Sequence, residues 1–182
     1  MLTRCHGVTL IELMIGVVII SSLLLVGMPS FTNWIQDLQV RGAAESIQSG
    51  LLLARSEAIR RNRPVQLTLA DAGGLVEWRI GCISVDSACP VSITERKRGE
   101  GGLNARMAVS SVPSAGNASA DTALAAGAGL PVSIAFNGLG QLAGPAPAWV
   151  EVSHVRLGSA RRLVVRIDAG LVRICRPLSE CA

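Results

Sequence analysis

HGVTLIELMIGVVIISSLLLVGMP, residues His6–Pro29, is almost wholly apolar yet carries one acid, Glu12. From Val8 to Met28 that acid is the only charge. At about 1.5 Å of rise per residue, such a helix covers about 30 Å, the thickness of a bilayer core. Residues 1–7 form a short polar leader containing Arg4, and 8–28 read as the transmembrane half of a helix. A cleaved secretory signal is the rival reading, because the basic leader suits it. Yet no A-x-A-like small-residue site follows the apolar run.

Beyond Pro29 the helical pattern resumes. Phe31, Trp34, Ile35, Leu38, Ala44, Ile47, Leu51, Ala54 and Ala58 recur at spacings of three and four, with one gap near Arg41 and Gly42. Gln36, Gln39, Glu45, Gln48, Arg55 and Arg60 occupy the other face. Residues 29–63 are therefore expected to form an amphipathic half with one stripe to bury. It stops near Asn62–Arg63, since the residue before Pro64 is biased away from helix. Pro29 is expected to bend the helix rather than end it.

After Pro64 the apolar period becomes two. Val65–Leu69, Leu75–Ile80, Val91–Arg96, Ala105–Val112, Val132–Phe136, Trp149–Val155, Leu163–Ile167 and Leu171–Cys175 read as strands between Gly, Asp, Asn and Pro turns. One long helix followed only by strands predicts an α+β fold, with an antiparallel β-sheet covering the helix stripe. Residues 64–182 form that β-rich domain, and Ala/Gly/Ser-rich 113–130 is expected to be a flexible loop.

The chain has 182 residues and a formal charge of +4. Lys97 is its only lysine, so the positive charge is nearly all guanidinium, which suits bidentate contact with phosphate or carboxylate. Base composition of the coding sequence explains the arginine richness equally well. Aromatic residues make up 3%, with no Tyr, which argues against stacking platforms for single-stranded nucleic acid. Cys5 lies in the leader, and the other four cysteines form two local pairs, neither with C-x-x-C zinc spacing. Outside the cytoplasm they would make two short-loop disulfides, Cys82–Cys89 and Cys175–Cys181; in the cytosol they would stay thiols.

A carboxylate at membrane depth costs about 2.5–3.5 kcal/mol, so Glu12 needs a partner that the apolar run does not supply. Cutting after Gly7 would create one: the α-amine of Val8, on a neighbouring, axially staggered copy. The buried charge would then set the register between bundled helices.

The leader ending in glycine, followed by V-T-L-I-E-L-M, resembles the class III signal of type IV pilins and type II secretion pseudopilins. The resemblance implies that a prepilin peptidase cleaves after Gly7 and methylates Val8, with Glu12 as the family's acid. Val8 stands where the family usually has Phe. Pro29 falls where pilins bend their helix. F-N-G-L-G-Q at Phe136–Gln141 and G-L-V-R-I-C-R-P at Gly170–Pro177 are similar to the GspH/FimT group of minor pilins. That implies a subunit which joins, and helps initiate, a type IV pilus or type II secretion pseudopilus. Its partners would be the peptidase, other pilins and inner-membrane lipid, with a single pass and a periplasmic C-terminal domain.

Some pilus-linked members of the group are associated with DNA uptake through a basic G-R-x-R-like motif. Here Gly170-Leu-Val-Arg173 lacks the first arginine, while Arg173 and Arg176 remain. Six arginines and three acids lie between Glu151 and Ala182, a local excess of about three. Arg162, Arg166, Arg173 and Arg176 are thus candidates for a phosphate-binding patch on DNA, against the alternative of a solvated sheet face. An enzyme is not expected. Only His6 and His154 could act as imidazole bases, and no G-x-S-x-G, H-E-x-x-H, P-loop or paired-carboxylate motif occurs. No cofactor or metal is implied.

Overall fold

A computed structural model describes residues 7–98, 100, 103–112, 120, 122–156, 158–168 and 171–177, without the side chains at 26, 27, 29, 30 and 158–160. Helix α1 spans Leu10–Arg61. At its start Thr9 acts as the N-cap: the Glu12 N–H donates to Thr9 Oγ1 at 3.3 Å, and the Leu13 N–H to the Thr9 carbonyl at 3.2 Å. Its end is a Schellman turn. Asn62 adopts φ 50°, its N–H meets the Ile59 carbonyl at 3.1 Å, and the Arg63 N–H meets the Ala58 carbonyl at 3.1 Å. Pro64 then prevents continuation. Both boundaries lie close to those expected.

The chain divides into two compact units, up to Gln36 and from Asp37 onward. In the first, Val8, Leu10, Ile11, Leu13, Leu23 and Leu25 are exposed, and Phe31 and Trp34 pack ring to ring at 5.8 Å. Among the described residues no helix is long and apolar enough to cross a membrane. Within the expected 8–28 segment the side chains at 26 and 27 lie outside the described ones. The helix continues through Pro29.

The second unit holds the core. Val40, Ala43, Ala44, Ile47, Leu51, Ala54 and Ala58 of α1 are buried, at helical spacing. The stripe therefore differs from expectation at its front. Phe31, Trp34, Ile35 and Leu38 are 37–58% exposed, while Val40 and Ala43 fill the gap noted beside Arg41 and Gly42. A Cβ on Gly50 would come within 2.8 Å of Leu67 Cδ1 and 3.2 Å of the Trp78 ring, so glycine there lets the helix approach the strands closely. Trp78 Nε1 donates to Ser46 Oγ at 3.0 Å, satisfying the indole at that contact.

Among the described residues eight strands follow, all antiparallel: β1 (Val65–Leu69), β2 (Trp78–Cys82), β3 (Thr94–Arg96), β4 (Ala105–Val109), β5 (Val132–Phe136), β6 (Trp149–His154), β7 (Gly158–Asp168) and β8 (Leu171–Cys175). They make two four-stranded sheets, ordered β3-β2-β1-β5 and β4-β6-β7-β8, rather than the single sheet expected. The inner faces of both, with α1, form one core that includes Leu67, Ile80, Met107, Ile134, Phe136, Val150 and Ile167.

The Cys82–Cys89 disulfide forms, closing the connection from β2 towards β3. That loop is tied to the end of α1. Arg61 donates to the Ala88 carbonyl, Arg63 pairs with Asp86, and Asp86 Oδ1 accepts the Ala88 and Cys89 N–H groups at 2.9 Å. Those N–H groups, Ala88 first, and the Arg63 guanidinium hold the Asp86 carboxyl below its ordinary range. Cys175 is also disulfide-bonded, but the expected partner Cys181 lies outside the described residues.

The segment expected to be a flexible loop is described at 120 and 122–130. Residues 127–128 run along β4: the Gly127 N–H donates to the Met107 carbonyl at 2.9 Å, and the Val109 N–H to the Ala128 carbonyl at 2.8 Å. Gly127 and Gly129 have φ 81° and 70°, and a Cβ on either would lie within 2.5 Å of a carbonyl oxygen. Glycine serves tight packing at these two positions.

Candidate functional sites at the helix start and on the second sheet

The helix start is set by Thr9, whose hydroxyl accepts the Glu12 N–H, and Glu12 lies in the first turn, where helix geometry favours an acid. Glu12 is exposed, and no basic side chain pairs with it among the described residues. Val8 is 72% exposed, and Gly7 lies just before the helix. The first turn thus presents one carboxylate among apolar side chains, beside the bond after Gly7.

The second site is the outer face of the β4-β6-β7-β8 sheet. Alternation puts Arg162, Val164 and Arg166 of β7 on one face, with Trp149 opposite Arg166 on β6 and Arg173 opposite it on β8. That Arg162 and Arg166 share a face, with Arg173 alongside, matches the sequence reading. Their surroundings differ from it. Ala120, Ala148, Trp149, Val164 and Cys175 form a second apolar cluster, with Val112 packed against it.

The arginines are also occupied. Arg162, with a side chain only 7% exposed, pairs at 2.9 Å with Glu151, which is 2% exposed. The other Glu151 oxygen accepts the Leu124 N–H at 3.2 Å, holding the 122–130 segment to the face. Arg166 and Arg173 share Asp168, each at 3.1 Å. Arg161 pairs with Asp37 of α1. Arg176 is exposed just past β8.

Sequence reading missed Glu151 and Asp37 as partners, because each sits far along the chain from its arginine. One signal was available: Glu151 shares its strand face with Trp149, where a solvated sheet would seldom place a large indole.

His154, at the end of β6, is buried. Its Nδ1 accepts the Arg156 N–H at 3.1 Å. Burial, then the charges of Arg156 and Arg106, push its pKa below the ordinary 6.5. The unfolded chain therefore binds a proton more readily than the folded one. His154's contribution to stability is complete above pH 6.5 and is lost as pH falls below it. The melting temperature of the parent, relative to a His154→Gln variant, is expected to decline on acidification below pH 6.5. Parallel pH profiles would contradict this.

The family model described as type II transport protein GspH matches residues 43–170, and that of the prokaryotic N-terminal methylation motif matches residues 2–28. No curated protein matches. Two crystal structures of the type IV minor pilin FimU of Pseudomonas aeruginosa PAO1 match this chain. The P21 form is 17% identical with a TM-score of 0.50, covering 79% of this chain and 95% of that one. The P65 form is 16% identical with a TM-score of 0.48, covering 78% and 99%. The helix-then-strands order, the two antiparallel sheets and the model spanning most of the β-rich unit agree: the chain belongs to the GspH family of type II transport proteins.

Proposed function

We propose that the chain is a minor pilin or pseudopilin, cleaved after Gly7 and methylated at Val8 by a prepilin peptidase. It then inserts as one subunit among other pilins in a filament, and it helps initiate that filament. The observation that carries this reading is Glu12: an acid in the first helical turn, among exposed apolar side chains, without a cation of its own among the described residues. A newly cut amine on an adjacent copy supplies the missing charge.

Before assembly, 8–28 hold the chain once across the inner membrane, leader inside and β-rich domain in the periplasm. Arg4 on the inner side suits that orientation. Such a subunit works through packing and register, not catalysis. Sheared filaments from cells expressing the chain are expected to contain it, and those from cells lacking the peptidase to contain none. Equal recovery from both would refute the reading.

DNA binding is the second reading. It is favoured by Arg166 and Arg173 lying opposite one another in register, both paired with Asp168. On this reading Asp168→Asn strengthens DNA retardation in a low-salt gel and Arg173→Ala weakens it. Identical retardation by both variants would end it.

A further inference from the structure

Two arginines of the second sheet stand apart from the rest. Arg161, Arg162, Arg166 and Arg173 each hold a carboxylate. Arg106 and Arg156 have no acidic partner among the described residues. Arg106 Nη1 donates only to the carbonyls of Leu103 and Ala105, at 2.5 and 3.1 Å. Arg156 is exposed on the turn after β6. Both charges act on His154 and lower its pKa.

Apolar side chains accompany these two cations. Leu103 is 61% and Val155 51% exposed. The Val155 N–H donates to the Asn104 carbonyl at 2.8 Å, joining the segment before β4 to the turn after β6. This is also the end at which α1 enters the unit. Asn104 Nδ2 donates to Gln39 Oε1 at 3.4 Å, and Arg161 pairs with Asp37.

We infer that this end of the β-rich unit, through Arg106, Arg156, Leu103 and Val155, docks on the anionic headgroups of the lipid leaflet before the subunit enters a filament. The inference rests on the reading that 8–28 lie in the membrane. Guanidinium groups bind phosphate well, and flanking leucine and valine suit the boundary between headgroups and acyl chains. The chain itself makes the encounter intramolecular. Only eight residues lie between Met28 and Asp37, so even a fully extended tether reaches about 30 Å. A contact too weak to recruit a free domain suffices at that effective concentration. The acid-paired arginines of the same sheet are less suited, because lipid phosphate would have to displace a carboxylate from each.

The test uses the full chain, reconstituted into vesicles of phosphatidylcholine alone or with phosphatidylglycerol added. Exposed guanidinium groups are labelled with phenylglyoxal and mapped by peptide mass. Arg79, exposed on the other sheet, is the internal reference. Labelling of Arg156 relative to Arg79 is expected to fall about fivefold or more when phosphatidylglycerol is present, and to recover in high salt. Arg106→Gln should restore much of the labelling. Val155→Ser, a change at an exposed site, should do so in part without touching a charge. An Arg156-to-Arg79 ratio that ignores lipid charge, in chain that stays in the vesicles through an alkaline wash, overturns this inference alone. Chain stripped off by that wash overturns the membrane reading and this inference with it.

Discussion

Replacing Glu12 by alanine is expected to leave the chain inserted and processed but to cut its recovery in sheared filaments at least about tenfold. The reason is electrostatic. Removing one partner of an ion pair buried among apolar helices strands the other charge, at a cost of about 3–5 kcal/mol, and about 1.4 kcal/mol already corresponds to tenfold. Thr9-x-x-Glu12 also has the sequence pattern of a capping box, so loss of helix capping is the rival cause of a defect. Glutamine separates the two roles. It serves in a capping box as glutamate does, but it carries no charge for a neighbouring amine. Glu12→Gln should therefore fail like Glu12→Ala. If it enters filaments as well as the parent, Glu12 is a cap and not a registration device.

The second large effect concerns the β-rich unit. Glu151→Gln leaves the Arg162 guanidinium, 7% exposed, without its carboxylate. Losing one partner of a buried pair costs about 3–5 kcal/mol. For a unit of this size that corresponds to a drop in melting temperature of roughly 10 °C. Thermal unfolding of the detergent-solubilised chain would measure it. The double variant Glu151→Leu, Arg162→Met removes both charges and should regain most of the loss. A residue of about 1 kcal/mol should persist, because the Leu124 N–H that bonds Glu151 is left unpaired. A single variant that melts with the parent would mean the pair is solvated in solution.

Local rules made the elements legible. The apolar run, the spacing of three and four, Pro64 and the switch of apolar period located α1 and the described strands, and β1, β5 and β8 begin and end where the alternation does. Pairing was not legible, because register depends on partners remote in the chain. β1 sits between β2 and β5, whereas β4 leaves for the other sheet. The same limit governed the charges. The count of arginines over acids near the C-terminus was correct, but the cancellation of Arg161 by Asp37 and of Arg162 by Glu151 is visible only once strands and helix are assembled. Composition misled at 127–130, where Gly127 and Gly129 serve close packing against carbonyls. The Cys82–Cys89 bridge was readable from spacing, given a compartment outside the cytoplasm.

Everything proposed for the helix start depends on Val8 carrying a free or methylated amine opposite a neighbour's Glu12. Intact-mass analysis of the membrane-extracted chain, from cells with an active prepilin peptidase, addresses that directly. The expected species begins at Val8 and carries one added methyl group. A chain that retains residues 1–7 in those cells would contradict the account.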